Sequence, residues 1–516
     1  MKITKTHAKN FSRVARSFSA ATVVLVMTGC GVHFNLAQAL SSASSVDAVA
    51  FTPTSGPVGT ILTITSPGGI DLSTVQSITV DGIPALSINA SSTQITAMVM
   101  PGTATGSVGL STAAITATTD AKFTVTPTAV PIVQQGAKYV PTGSTGTPHG
   151  GSSVAVSADG NTMAMGGYTN NTNKGGVWIF KRSNGAWTQE AGPLNPTDGV
   201  NNPYFGESVS LSADGNTALI GGYYDNAGVG GAWVFTRTNG VWSQQGPKLL
   251  PNNIIASFAE FGSGVSISPD GNTAAIGGFY DNTAVGAVWI YTRSNGVWSQ
   301  GQKLIGTGNT GQSRQGTWVS MSGDGQTIAF GGWSDNASVG AVWVFGLSAG
   351  TWTQQGAKLT ATGEVGAAKF GLSGALSLDG NTLVAGSPLD NGGVGGAWIF
   401  KRNAGTWSQL GTKLFAQDTT AGAGAGANQG RGVAISGDGT LIAEGGPIDN
   451  GNVGGIWYFT QSGGAYSVAS TKLTGTGYVG GSYQGLTIGL TPAATTCLVT
   501  GDGDAANIGA FWMYTP

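Results

Sequence analysis

Few residues of this 516-residue chain could carry acid–base, nucleophilic or metal chemistry. Of its three histidines, His7 and His33 lie near the N-terminus, and only His149 falls in the long C-terminal part, within the connector TGTPHGG. A Ser–His–Asp or Cys–His site needs a histidine beside a nucleophile, and a histidine-held metal usually needs two or three. A lone histidine among glycines therefore reads as solvated. Asp225, Asp281, Asp335, Asp390 and Asp449 could crowd one face as paired carboxylates for sugar chemistry. Their regular placement beside Asn (Gly or Ala elsewhere in the loop) reads as turn formation instead. The densest oxygen cluster, Asp502, Asp504 and Asn507, is a weak candidate for a calcium site, which needs several oxygens from one loop. The expectation is a chain with no catalytic residues, no metal and no cofactor, and thus not an enzyme.

The elements that must position any site follow from a repeat. From residue 132 onward one motif recurs seven times, with turn aspartates at Asp159, Asp214, Asp270, Asp324, Asp379 and Asp438 and a degenerate last copy at Thr491 to Thr496. A fixed period of this kind marks a solenoid, propeller or array. One copy contains GESVSLS, NTALIGG, GAWVFTR and VWSQQGPKLL (206–250), apolar or β-branched runs separated by Asp-Gly, Asp-Asn and Asn-Gly turn signals. Four short strands per unit predict blades of an all-β, seven-bladed β-propeller. The last copy stops after its third strand, whereas IVQQGAKYV (132–140) matches the fourth, so 132–140 is expected to complete the last blade and close the ring. The 87 glycines and 9% charged residues agree with a turn-rich β protein.

The blades resemble FG-GAP-type repeats, as in integrin-like propellers, through Phe205-Gly206, Phe261-Gly262 and Phe370-Gly371, with Gln315-Gly316, Gln429-Gly430 and Gln484-Gly485 as variants. The resemblance implies the propeller fold and no particular function. Calcium binding, known for many such repeats, is not carried over, because SADGNT offers one carboxylate per turn.

Ahead of the repeats, FTPTSGPVGTILTIT (51–65), VQSITVDGIPA (75–85), STQITAMVM (92–100) and AKFTVTP (121–127) alternate short strands with Gly/Pro turns, which suggests a small β-sandwich over 46–127. Pro53 to Gly59, Gly82-Pro84-Ala85 and Thr93-Gln94-Ile95 resemble an IPT/TIG immunoglobulin-like domain. Further upstream, five basic residues precede the apolar run Ala20 to Met27 and then Met27-Thr28-Gly29-Cys30. This reads as a lipoprotein signal over 1–29, with Cys30 as the acylated residue and a flexible tether over 30–45. The expected location is the cell envelope, lipid-anchored to the outer membrane or cell surface, with the anchor as the only membrane contact. Removing 1–29 would leave 17 basic against 24 acidic residues, a formal charge of −7, which argues against nucleic acid as a partner. Cys497 reads as a buried small hydrophobe.

Recurring tryptophans also bear on function. Trp178, Trp233, Trp289, Trp343, Trp398, Trp457 and Trp512 share a strand-three position and read as core, while the strand-four set Trp187, Trp242, Trp298, Trp352 and Trp407 could serve as sugar platforms. Strand parity puts the uniform SADGNT turns on one face and the Asp-Asn loops with the variable connectors on the other, where recognition is expected. Candidate contacts there are Tyr204, Phe258, Glu260, Arg314, Lys369, Arg431 and Tyr483. The reading is a non-catalytic binding or adhesion lipoprotein whose partner is an envelope or extracellular protein, or a glycan. Alternatives are a carbohydrate-binding or carbohydrate-active propeller and a structural envelope scaffold.

Overall fold

The computed structural model describes residues 49–255, 258–419 and 426–516, so Cys30, the signal and the tether lie outside the described residues. The molecule is all-β and propeller-like, built from short strands whose side chains alternate between faces. Ile61–Thr65 shows the principle: Leu62 and Ile64 are buried while Thr63 and Thr65 are less so. In the N-terminal unit a four-stranded sheet (Ala50–Thr52, Ile61–Thr65, Gln94–Met98, Leu86–Ala90) packs on a five-stranded one, and Leu62, Ile64, Ile95, Ile78, Val80 and Phe123 fill the space between them.

Among the described residues after 132, seven four-stranded antiparallel sheets follow. The copy read above gives Ser208–Leu211, Thr217–Gly222, Gly231–Thr238 and Val241–Gln244, paired in sequence order. Val133–Gln134 pairs with the last strand, Ala510–Thr515, through Val133 with Thr515 and Gln134 with Tyr514. Apolar clusters bridge each sheet to the next, and Leu498, Phe511 and Met513 pack with Met163, Met165 and Trp178, joining the last sheet to the first. The strand-three tryptophans are fully buried at these seams. Sheets approach so closely at their inner edge that a Cβ on Gly166 would lie 1.9 Å from the Gly206 carbonyl oxygen. The first strands of all seven sheets line one central channel, with Val154, Ser210, Ser266, Ser320, Ala375 and Ala434 among its walls.

The two ends of the channel differ. At one end each Asp-Gly turn is closed by its own side chains: Asp214 Oδ1 accepts from Ser212 Oγ (2.6 Å) and Asn216 N (3.0 Å), and Ser212 Oγ accepts from Thr217 N. Neighbouring turns are linked around the axis, as where Ala158 N donates to Ala213 O and Ala213 N to Pro269 O. The N-terminal unit sits on this end. Val58 and Met98 pack with Ala158, Ala213 and Leu378, Thr128 Oγ1 donates to Asp438 Oδ2 at 2.6 Å, and a Cβ on Gly59 (φ 90°) would lie 2.5 Å from the Pro492 backbone.

At the other end lie the Asp-Asn loops. They are not simple turns. Asp225–Gly228 forms one helical turn in which Asn226 (φ 50°) and Ala227 (φ 57°) are left-handed, a conformation Asn tolerates better than most residues. The turn reading of these aspartates is incomplete, because each carboxylate is taken up by an ion pair with a lysine. Asp225, Asp281, Asp335, Asp390 and Asp449 are each 0% exposed and each is bound by a lysine of its own sheet, such as Lys303 on Asp281 at 2.6 Å. Asp281 Oδ1 also accepts from Ile255 N, tying the loop to the incoming connector. The first sheet has Asn170 and Pro193 instead, and there Asn170 Oδ1 accepts from Thr145 N.

Removing one partner of a buried ion pair strands the other charge. Asp281→Ala is therefore expected to lower unfolding stability by about 3–5 kcal/mol, whereas Asp281→Asn with Lys303→Met, mimicking the neutral first sheet, should recover most of it. Urea denaturation of the three proteins checks this; equal losses in the single and double variants would show that the charge pairing is not what matters.

Candidate active site at the channel mouth

Each connector enters its first strand through one residue with left-handed backbone. These are His149 (φ 50°), Tyr204 (54°), Glu260 (51°), Arg314 (57°), Lys369 (58°), Asn428 (55°) and Tyr483 (56°), one per sheet. Five of the seven sequence candidates, Tyr204, Glu260, Arg314, Lys369 and Tyr483, thus occupy a single ring of equivalent positions at the open end of the channel. The geometry is held by the next residue. Where that residue is Phe205 it packs edge-on against Trp233 (5.5 Å); where it is Gln315 its side-chain amide both accepts from Gly306 N and donates to Gly306 O. Phe and Gln exchange at this position in six of the seven copies, with Gly150 in the first, because either can anchor the connector to the seam.

Two further columns complete the mouth: the residue after the Phe/Gln-Gly pair, and the first residue of the turn that follows the second strand. Glu207 and Arg431 come from the first column, Tyr168, Tyr223 and Asp502 from the second. Rings form an arc, with His149 stacked on Tyr168 (5.9 Å), Tyr168 on Tyr204 (5.8 Å) and Tyr204 tilted on Tyr223 (5.5 Å). His149 Nδ1 lies 3.4 Å from Asp502 Oδ2. Desolvation pushes the Glu207 carboxyl up to about 7, with Asp502 adding repulsion and Arg431 opposing. Desolvation also raises Asp502, against His149 and Arg431, and lowers the Arg431 guanidinium, against Glu207 and Asp502. Residues of the first, second, sixth and last sheets therefore meet in one electrostatically coupled group. Glu260 is likewise pushed up to about 7 by desolvation, with Arg314 opposing.

Of the remaining candidates, Phe258 is exposed and leans on Tyr280 at the rim (5.7 Å), and Tyr483 lies against Gly503. The Asp502, Asp504, Asn507 cluster does not converge: Asp504 is buried, binds Lys138 and accepts from Val479 N, while Asp502 turns to His149. Among the described residues no group of three or more His, Cys, Asp and Glu is placed to hold a metal. The strand-four tryptophans are not free platforms. Trp242 is 8% exposed, lies under Arg237 (5.5 Å) and donates to Glu190 of the preceding sheet; Trp298 and Trp407 are covered by Arg293 and Arg402 in the same way.

Residues 187–235 match the FG-GAP repeat family. That segment runs from the fourth strand of one sheet into the third strand of the next. A comparison with the curated proteins finds no match. Among solved structures the chain is similar to a Bacteroides uniformis protein provisionally named a 6-phosphogluconolactonase (17% identity, 72% of this chain and 93% of that one, TM-score 0.46). It is also similar to the hydrazine synthase of Kuenenia stuttgartiensis (15%, 72% and 97%, 0.44) and to the periplasmic gluconolactonase of Pseudomonas aeruginosa (16%, 66% and 92%, 0.42). At such identities and scores no activity passes from those proteins to this one. Their enzyme names nonetheless run against the expectation of a non-catalytic binding or adhesion protein that is not an enzyme, and that expectation is withdrawn. Its physical ground fails as well, since His149 is not an isolated solvated ring but faces Asp502 beside a near-neutral carboxyl.

Glu207, Tyr168, Tyr223 and His149 were not among the sequence candidates. Aligning the seven copies would have flagged Glu207, because the column that holds it reads Ser152, Glu207, Ser263, Thr317, Leu372, Arg431, Leu486, with one acid and one base among neutral residues.

The folded state holds the Glu207 proton to about pH 7, against an ordinary value of 4.5. Between those values the folded protein binds more protons than the unfolded chain, so stability falls as pH rises through that window, and the penalty is absent below it. Glu207→Gln removes this term. The melting temperature of the variant minus that of the native protein should climb from pH 4.5 to 7; a flat difference would place the Glu207 carboxyl in water.

Proposed function

We propose that this protein is a carbohydrate-active enzyme whose site is the connector-end mouth of a seven-bladed β-propeller. In this reading the propeller is preceded by an IPT/TIG-like immunoglobulin sandwich, and the chain is exported and lipid-anchored through Cys30. The observation that carries the function is the Glu207 carboxyl, raised to about 7 at the foot of an aromatic arc and coupled to Arg431 and Asp502. A carboxyl poised there can donate or accept a proton at neutral pH, which is what general acid–base catalysis requires. The faces of Tyr168, Tyr204 and Tyr223 suit the C–H face of a sugar ring, leaving its hydroxyls to hydrogen-bond with carboxyl and guanidinium groups.

The reaction class that fits is hydrolysis of a sugar-derived bond. Glu207 protonates the departing oxygen, water attacks the carbon, and the proton of that water passes to the His149–Asp502 pair. Arg431 stabilises negative charge developing on oxygen. The purified protein is expected to hydrolyse at least one member of a panel of oligosaccharides and aldonolactones, with a rate about 100-fold lower in Glu207→Gln. An unchanged rate in the variant would move the chemistry elsewhere. Absence of both turnover and calorimetric binding across the whole panel would overturn the reading.

A further inference from the structure

Across the mouth from the aromatic arc, two cations share one ring. Arg314 Cζ lies 4.7 Å from the centre of the Trp333 ring and Lys369 Nζ lies 4.6 Å from it. Arg314 is also stacked on Tyr280 (4.9 Å), donates to its hydroxyl (3.0 Å) and lies near Phe279 (5.9 Å). Both come from the left-handed ring, so both backbones are fixed in a conformation that aims the side chain at the mouth rather than along a strand.

Like charges held on one indole repel, and the face of the ring attracts each of them only modestly. A protein ordinarily relieves such a pair with a carboxylate. Among the described residues neither Arg314 nor Lys369 has a carboxylate within salt-bridge distance, although eight other basic residues, His149 aside, do. Glu260, whose carboxyl feels Arg314, is itself raised by desolvation to about 7 and so carries only part of its charge at neutral pH. Arg314 Nε is buried and has no hydrogen-bond partner. A preorganised pair of cations with no carboxylate to balance it is a site for an oxyanion.

We infer that Arg314 and Lys369, positioned by Trp333, bind the anionic group of the ligand, so that the substrate is an acidic saccharide. The inference rests on the carbohydrate reading of the mouth. Its ring would lie on the tyrosines near Glu207 while its carboxylate, sulfate or phosphate reaches the two cations. The three anions share the same chemistry here, and binding separates them.

The test is calorimetric titration of the whole protein with trigalacturonate, galactotriose, a 6-sulfated galactose and a galactose 6-phosphate, repeated in Lys369→Gln and in Arg314→Gln/Lys369→Gln. The native protein should prefer one charged probe over neutral galactotriose by about tenfold or more, and the variants should reduce that ratio stepwise towards one. Lys369→Gln is included because Lys369 lacks the buried Nε and the Tyr280 hydrogen bond of Arg314, which keeps the experiment decisive if loss of Arg314 disturbs the fold. Equal affinity for charged and neutral probes, or a ratio that survives in both variants, would overturn the anion site and leave the carbohydrate reading standing. Binding of none of the four would overturn both.

Discussion

The buried aspartate of the helical turn between the second and third strands performs three tasks in the sheets that carry it. It neutralises the lysine at the end of the fourth strand, it accepts a backbone N–H from the connector, and it starts the left-handed turn that reverses the chain. Charge at 0% exposure is tolerable only when paired and hydrogen-bonded, so these contacts are obligatory rather than decorative. Connectors of differing sequence are therefore held at the same height around the axis. Without that common height, seven loops of differing sequence would not present one ring of side chains.

On this frame the mouth gathers its chemistry by closure. Glu207 and Tyr168 belong to the first two sheets after the linker, whereas Arg431 and Asp502 belong to the last two. They feel one another only because Val133–Gln134 completes the last sheet and Met163 and Trp178 pack against Leu498 and Phe511. Close inner-edge contact at Gly166 and its equivalents keeps the opening narrow enough for the coupling to reach across it. The seam between the last and first sheets replaces that glycine with Thr500, whose hydroxyl lies 2.6 Å from Thr487 Oγ1. Burial of Glu207 among the groups gathered at the mouth is what raises its carboxyl.

Much of this was legible in the sequence. The period, the four strands per unit, the strand-three tryptophans and the separation of uniform turns from variable connectors are local patterns, and local patterns survive in one dimension. The ring of Tyr204, Glu260, Arg314, Lys369 and Tyr483 was half visible, because each precedes a recurring Phe/Gln-Gly pair. What stayed hidden was lateral. Nothing near His149 in the chain says that Asp502 lies beside it, and nothing near Trp242 says that Arg237 and Glu190 cover its ring. Burial was also misjudged for the Asp-Asn loops, since a turn aspartate and a buried ion-pair aspartate look alike until the lysine more than twenty residues later is brought back to it.

The seat of the N-terminal unit on the Asp-Gly turns gives the channel a single door. Val58 and Met98 cover the end opposite the mouth, so a molecule that enters past the tyrosines has to leave the way it came. Such a well suits a chain end or a small ring dipped in from outside and is unsuited to threading a polymer through. On the proposed reading, cleavage there would proceed from termini, releasing short pieces one at a time and leaving the interior of a long polysaccharide untouched.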